Sequence, residues 1–130
     1  MLQKLLCVDD DPITLMLYKM VISKAQFARD VDTAQNGEEA IAYFDGLIRS
    51  GAEYPKLIFL DLNMPVMGGW EFLDLFSTPR YAAFSSVKVI VLSSTIDPQD
   101  IEKSKSYKQV IDFRSKPISK EMLAELDGIF

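Results

Sequence analysis

Apolar residues along this chain follow two alternating patterns: short unbroken runs, and stripes at three- and four-residue spacing. Leu5-Leu6-Cys7-Val8, Leu57-Ile58-Phe59-Leu60 and Val87-Lys88-Val89-Ile90-Val91-Leu92 are near-continuous runs, as expected of strands buried on both faces. Asp30-Val31-Asp32-Thr33-Ala34 and Val110-Ile111-Asp112-Phe113-Arg114 alternate polar with apolar, which predicts two strands at the edges of a sheet. Between the runs lie helical stripes. Ile13, Met16, Leu17, Met20 and Val21 form the first, and Ala40, Ile41, Phe44, Leu47 and Ile48 the second. Phe72, Leu73 and Phe76 form the third, and Met122, Leu123, Leu126, Ile129 and Phe130 the last. Each is read as the inward face of its helix. A further helix after Asp97-Pro98 has only Ile101 as an apolar anchor among Lys103, Ser104, Lys105 and Ser106, so it should be the least firmly docked.

Punctuation residues support the same division. Asp11-Pro12 and Asp97-Pro98 are cap-plus-proline starts, and Ser119 can cap the last helix. Asn36 followed three residues later by Glu39 reads as a capping box. Gly51 to Pro55 breaks the second helix, Pro79 ends the third, and a short helical turn can form through Tyr81–Phe84. The resulting order is βαβαβαβαβα, which implies a parallel sheet with helices on both faces. With the near-continuous runs placed centrally and right-handed crossovers, the strand order is 2-1-3-4-5. The expected fold is therefore α/β and doubly wound, with five parallel strands in the flavodoxin-like arrangement and five helices. The expectation is one domain over residues 1–130, without a further output domain.

Composition narrows the functional classes. With 48% hydrophobic and 25% charged residues, the chain is ordinary for a globular domain, and no apolar run approaches the ~20 residues of a membrane span. The single cysteine, Cys7, allows no internal disulfide and points to the cytoplasm; placed within a buried strand, it reads as core. The absence of histidine excludes histidine catalysis and histidine metal ligands. The net charge of −5 gives no general attraction to nucleic acid or anionic lipid. That charge is uneven. Residues 101–120 hold six basic residues against two acidic ones, a net +4, which leaves −9 for the rest.

The candidate chemistry lies where the strands end. Asp9 and Asp10 follow the first strand, Asp61 the third, Ser93 the fourth and Lys116 the fifth. In open α/β sheets this carboxyl edge is where ligands bind. An aspartate after a strand also commonly opens a turn, and Ser93 or Lys116 alone reads as a turn residue or a solvated lysine. Their joint placement at successive strand ends is what points to a site. Asp11 is accounted for as a helix cap; Asp9 and Asp10 have no such role. With strands one and three adjacent, Asp9, Asp10 and Asp61 converge. Three like charges raise one another's pKa unless a cation intervenes, so a hard divalent ion, Mg²⁺ or Mn²⁺, is expected on these oxygens, with the Asn63 backbone carbonyl as a further ligand. A metal ion, a hydroxyl and an ammonium around one free carboxylate make a cradle for a tetrahedral anion, and a carboxylate can attack phosphorus to give an aspartyl-phosphate. Asp61 is the expected nucleophile, because the adjacent pair is better suited to hold metal.

Val8-Asp9-Asp10-Asp11-Pro12, Asp61-Leu62-Asn63-Met64-Pro65 with Met67 and Gly69, Val91-Leu92-Ser93-Ser94, and Lys116-Pro117 together resemble the receiver domain of two-component response regulators, in its stand-alone, chemotaxis-regulator-like form. The likeness spans essentially the whole chain. It implies that Asp61 accepts a phosphoryl group from the phosphohistidine of a sensor histidine kinase. It also implies that Asp9, Asp10, Asp61 and the Asn63 carbonyl bind Mg²⁺, and that Ser93 and Lys116 hold phosphoryl oxygens. Such a protein is a signalling switch that catalyses only its own phosphorylation and dephosphorylation. The family switches by moving the strand-four hydroxyl, here Ser93, toward the phosphoryl group while a strand-five aromatic, here Phe113, turns inward. Two departures stand out: Ser93 replaces the usual Thr, and Phe113 the frequent Tyr, which leaves the degree of switching open. Phe113 also reads as simple edge-strand packing. The implied partners are the kinase and either a downstream protein or a histidine phosphotransfer protein, to which the phosphoryl group could pass. A phosphorylation-dependent homodimer through the fourth helix, fifth strand and fifth helix is a further expectation, in line with the basic 101–120 segment and Glu121, Glu125 and Asp127. Direct nucleic-acid and membrane binding are not expected.

Three other readings fit less well. A haloacid-dehalogenase-type phosphatase needs a second acid two residues after its nucleophile, where Asn63 stands. A nucleotide-binding module needs a glycine-rich loop where Asp9-Asp10-Asp11 stands. An adaptor that had lost phosphorylation would be expected to lack one of the five key residues.

Overall fold

Strands and helices alternate along all 130 residues described by the computed structural model. They run β1 (Leu2–Val8), α1 (Pro12–Lys24), β2 (Ala28–Ala34), α2 (Gly37–Ser50), β3 (Leu57–Asp61), α3 (Gly69–Phe76), a 3₁₀ helix (Pro79–Phe84), β4 (Lys88–Ser93), α4 (Pro98–Ser104), β5 (Val110–Ser115) and α5 (Lys120–Asp127). The five strands are parallel in the order β2-β1-β3-β4-β5. The apolar runs occupy the three central strands and the alternating segments the two edges, as their polarity requires.

Because neighbouring residues in a strand point to opposite faces, each central strand feeds two cores. Leu5, Cys7, Phe59, Ile90 and Leu92 pack with Leu15, Tyr18 and Ile22 of α1 and Leu123 and Leu126 of α5. Leu6, Val8, Ile58, Leu60 and Val89 face the other way, onto Phe44 of α2 and Phe72 and Phe76 of α3. Cys7 is fully buried, and desolvation pushes its thiol pKa far up, so it is an inert part of the core.

The caps form as expected. Asp11 Oδ1 accepts from the Ile13 amide at 2.9 Å, Asn36 Oδ1 from Glu39 at 2.8 Å, Asp97 Oδ1 from Gln99 at 2.9 Å and Ser119 Oγ from Met122 at 3.1 Å. Gly51, at φ 66°, ends α2 in the left-handed conformation that favours glycine.

Three helix faces differ from expectation. On α1 the inward residues are Leu15, Tyr18 and Ile22, while Ile13, Met16, Leu17 and Met20 are 49–63% exposed. The helix is apolar nearly all round, so spacing alone supports two stripes, and the direction in which the chain leaves β1 decides which one turns inward. At the other terminus, α5 stops at Asp127 and Ile129 is exposed. Phe130 only meets Phe27 edge-on, with centroids 6.4 Å apart. On α2 the stripe frays in its last turn, where Ile48 is exposed. No helix is long and apolar enough to cross a membrane.

Candidate functional site

Strand register brings the chemistry together. Val8 pairs with Leu60, so Asp9 leaves β1 beside Asp61 at the end of β3. Leu92 pairs with Asp61 and Ser93 with Ser115, so Ser93 and Lys116 stand at the same edge. The Lys116 amide donates to the Ser93 carbonyl at 2.8 Å, which closes that side of the crevice.

Carboxylate oxygens of Asp9, Asp10 and Asp61 lie within 4.8 Å of one another. Asp9 and Asp61 are almost wholly buried, at 1% and 5% exposure, while Asp10 is open to solvent. Asp9 Oδ1 accepts the Asp11 amide at 3.0 Å, and the Asn63 amide approaches Asp61 Oδ1 at 3.4 Å. The Lys116 ammonium lies 2.6 Å from Asp9 Oδ2 and 3.3 Å from Asp61 Oδ2. It is the sole polar partner of Asp9 Oδ2, which has no hydrogen bond from the rest of the fold. Lys116 therefore bridges the acids, whereas the sequence suggested that it faces them across an anion cradle. Burial raises the Asp61 pKa above the usual carboxylate range and the Asp9 charge adds to this, against the Lys116 charge. Burial disfavours the Lys116 ammonium, yet its hydrogen bond to Asp9 and the two carboxylate charges outweigh that and raise its pKa.

Three carboxylates against one ammonium leave a charge of −2 when all are ionised. Burial of two of them in an all-oxygen donor set makes the group a fit for a hard divalent cation. No counter-charge besides Lys116 reaches either buried acid.

Ser93 is also buried, but its hydroxyl faces its own loop. Ser93 Oγ donates to the Thr95 carbonyl at 2.7 Å and accepts the Thr95 amide at 3.2 Å. It makes no hydrogen bond to Asp61. Phe113 is half-buried on edge strand β5, paired with Val91. Thr95 was not among the residues the sequence singled out, since a turn partner two residues on has no distinctive spacing signal.

The loop after Asp61 is tightly held. Val66 adopts φ 69°, unusual for a β-branched residue, and is 74% exposed at the tip. The Gly37 amide donates to the Met67 carbonyl at 2.8 Å. At Gly69 a Cβ would sit 2.6 Å from the Asp61 carbonyl oxygen, so only glycine lets α3 start this close to the acid.

Comparison with known proteins gives a consistent result. The family model described as "response regulator receiver domain" matches residues 5–126. A protein-glutamate methylesterase/protein-glutamine glutaminase of Methanospirillum hungatei is 32% identical over 101 residues, covering 78% of this chain and 26% of that protein. This chain therefore spans about a quarter of that relative's length. Protein PilG of Pseudomonas aeruginosa is 30% identical over 120 residues, 92% of this chain and 81% of PilG. The crystal structure of a two-component response regulator from Cytophaga hutchinsonii superposes with a TM-score of 0.89 at 29% identity, covering 98% of this chain and 96% of that one.

Proposed function

The chain belongs to the response regulator receiver domain family, and from that premise we propose that Asp61 is a phosphoacceptor for the phosphohistidine of a sensor histidine kinase. The observation that carries this is the buried Asp9–Asp61–Lys116 arrangement with Asp10 at its mouth. An Asp61 carboxylate oxygen attacks phosphorus, the bond from phosphorus to the donor's nitrogen breaks, and the imidazole leaves with the electron pair. Asp9, Asp10, Asp61 and the Asn63 carbonyl would hold Mg²⁺ or Mn²⁺, which supplies positive charge to the oxygens of the transferring group. Lys116 orients and neutralises a phosphoryl oxygen. Ser93 donates its hydroxyl to another once it leaves Thr95, and Phe113 occupies the space this opens. The resulting change in the surface of α4 and β5 alters binding of a downstream protein; passage of the phosphoryl group to a histidine phosphotransfer protein is the relay form of the same chemistry.

Incubation with acetyl phosphate tests the reading. A phosphate-sized mass gain that needs Mg²⁺ is expected. No gain in folded protein would overturn the phosphoacceptor assignment and favour an adaptor.

The exposed α1 row of Ile13, Met16, Leu17 and Met20 begins four residues after Asp9. An apolar stripe of this kind suits docking of a partner helix. Leu17→Ser combined with Met20→Ser is expected to slow phosphotransfer from a kinase about tenfold or more, since loss of two buried apolar anchors is worth roughly 2 kcal/mol or more. Acetyl phosphate labelling should be unchanged, because it needs no docking. Equal losses with both donors would show damage to the site rather than to docking. On the α4, β5 and α5 face, Arg114 already pairs with Asp112 and Glu125 of its own chain, both at 2.6 Å. A symmetric dimer there would draw its reciprocal pairs from Lys108 and Lys120.

A further inference from the structure

Helix α4 belongs to neither apolar core. It has seven residues, of which only Ser104 is buried. Its C-terminal end is nevertheless tied to α3. Trp70 and Asp74 lie four residues apart on α3; Lys103 is in the last turn of α4 and Tyr107 follows three residues beyond the helix end, where it also packs against the core on the α3 side of the sheet. The Trp70 and Tyr107 rings stack, with centroids 5.8 Å apart and planes at 19°. The Lys103 ammonium lies 4.8 Å from the centre of the Trp70 ring. The Tyr107 hydroxyl donates to Asp74 Oδ1 at 2.5 Å. Burial and the Asp74 carboxylate push the Tyr107 phenol up to about 12, so it stays a donor at neutral pH.

Both partners of this contact lead back to the site. Helix α3 starts against the backbone of Asp61, with the Gly69 amide bonded to the Leu62 carbonyl at 3.0 Å. Helix α4 is capped by Asp97, two residues beyond Thr95, the residue that holds the Ser93 hydroxyl. For Ser93 to reach a phosphoryl group on Asp61 it must release Thr95. Residues 93–97 connect that hydroxyl directly to the first turn of α4, and the contact with α3 stands at the opposite end of the same segment.

We propose that Trp70, Asp74, Lys103 and Tyr107 form a clasp that holds α4 where Ser93 is bound to Thr95, and so restrains the response of the site to phosphorylation. This rests on the assignment of Asp61 as phosphoacceptor, and it adds a restraint particular to these four side chains. Opening the clasp makes the Ser93-free state more populated, and a ligand or modification that needs that state then acts more readily.

The test compares the native chain with Tyr107→Ala, and with Tyr107→Phe, which keeps the stack and loses only the bond to Asp74. Amide hydrogen exchange without phosphodonor is measured first. Exchange of α4 amides is expected to rise about tenfold in Tyr107→Ala and less in Tyr107→Phe, with β1 and β3 unchanged. Labelling by acetyl phosphate with Mg²⁺ is then expected to be about threefold faster in Tyr107→Ala. Unchanged α4 exchange in both variants would overturn the clasp. Faster exchange with an unchanged labelling rate would overturn its link to the site. If the native chain took up no phosphate, the phosphoacceptor reading would fall, and the exchange data would still decide whether these residues hold α4.

Discussion

Lys116→Met is expected to destabilise the metal-free protein by about 2–3 kcal/mol, because removing one partner from a buried ion pair leaves an uncompensated charge. The side chain is chosen to keep the apolar stem while deleting the ammonium. That ammonium is the only polar partner of Asp9 Oδ2 and the nearest cation to Asp61. The figure is set below the ~3–5 kcal/mol usual for a fully buried pair because Lys116 remains 21% exposed, so water reaches the vacated space. Urea unfolding in the presence of EDTA measures the loss. Mg²⁺ should then narrow the gap. With the competing ammonium gone, three carboxylates face the ion alone, and a ligand at 100 times its dissociation constant stabilises by about 2.7 kcal/mol. Tighter Mg²⁺ binding by the variant, read by calorimetry, is the companion result. Equal stability of both proteins in EDTA would mean that Lys116 does not offset the buried acids. The pH profile separates Lys116 from its neighbours. Its folded pKa is raised, so its contribution is fully present below the unfolded lysine value and is lost only when pH rises through the folded one. The Lys116 ammonium itself therefore stays charged through acidic and neutral pH, and any decline of its effect on the acid side reports protonation of its partner Asp61.

The parts of this molecule that were legible in the sequence are those encoded by local pattern. Unbroken apolar runs identify β1, β3 and β4 as central, because a strand covered on both faces has no solvent side to mark with polar residues. Caps at Asp11, Asn36, Asp97 and Ser119 are local, since side chain and amide lie within three residues. The convergence of Asp9, Asp10 and Asp61 follows from strand order alone. What escaped depends on direction rather than position. On α1 two apolar stripes compete, and only the angle at which the helix leaves β1 decides that Leu15, Tyr18 and Ile22 turn inward. Strand order places Lys116 at the crevice but does not aim its five-atom reach, which ends between Asp9 and Asp61. Ser93 has a hydroxyl that can rotate either to the crevice or to its own loop, and here it bonds Thr95. The docking of α4 was the least visible feature. A weak apolar stripe correctly marks a helix outside the core, yet the stack of Trp70 on Tyr107 joins residues 37 positions apart that have no shared periodicity.

Asp61→Asn should abolish phosphate uptake and, at the same time, make the metal-free protein more stable. The first effect follows from chemistry: the amide has no carboxylate lone pair to offer phosphorus, so the mass gain from acetyl phosphate should vanish even with Mg²⁺ present. The second follows from the site's charge. Burial raises the Asp61 pKa, and the Asp9 carboxylate raises it further. A carboxylate with a raised folded pKa contributes stability that is fully present below its unfolded value and is lost as pH rises through the folded one. Wherever Asp61 is ionised the native chain bears that cost, and asparagine, nearly identical in shape, removes it. The expected gain is about 1 kcal/mol, kept small because the Lys116 ammonium already offsets part of the cost, and about 4 °C in melting temperature for a chain of this size. The advantage should shrink as pH falls through the folded pKa of Asp61, where the native side chain becomes neutral too. Mg²⁺ should reverse the order by stabilising only the protein that keeps all three carboxylates. Thermal unfolding of both proteins at acidic and neutral pH, with EDTA and then with Mg²⁺, reads all of these together. A variant less stable than the native chain in EDTA at neutral pH would show that Lys116 already neutralises the cluster. The case for a divalent ion would then rest on Asp10 and solvent exposure, and not on repulsion among the buried acids.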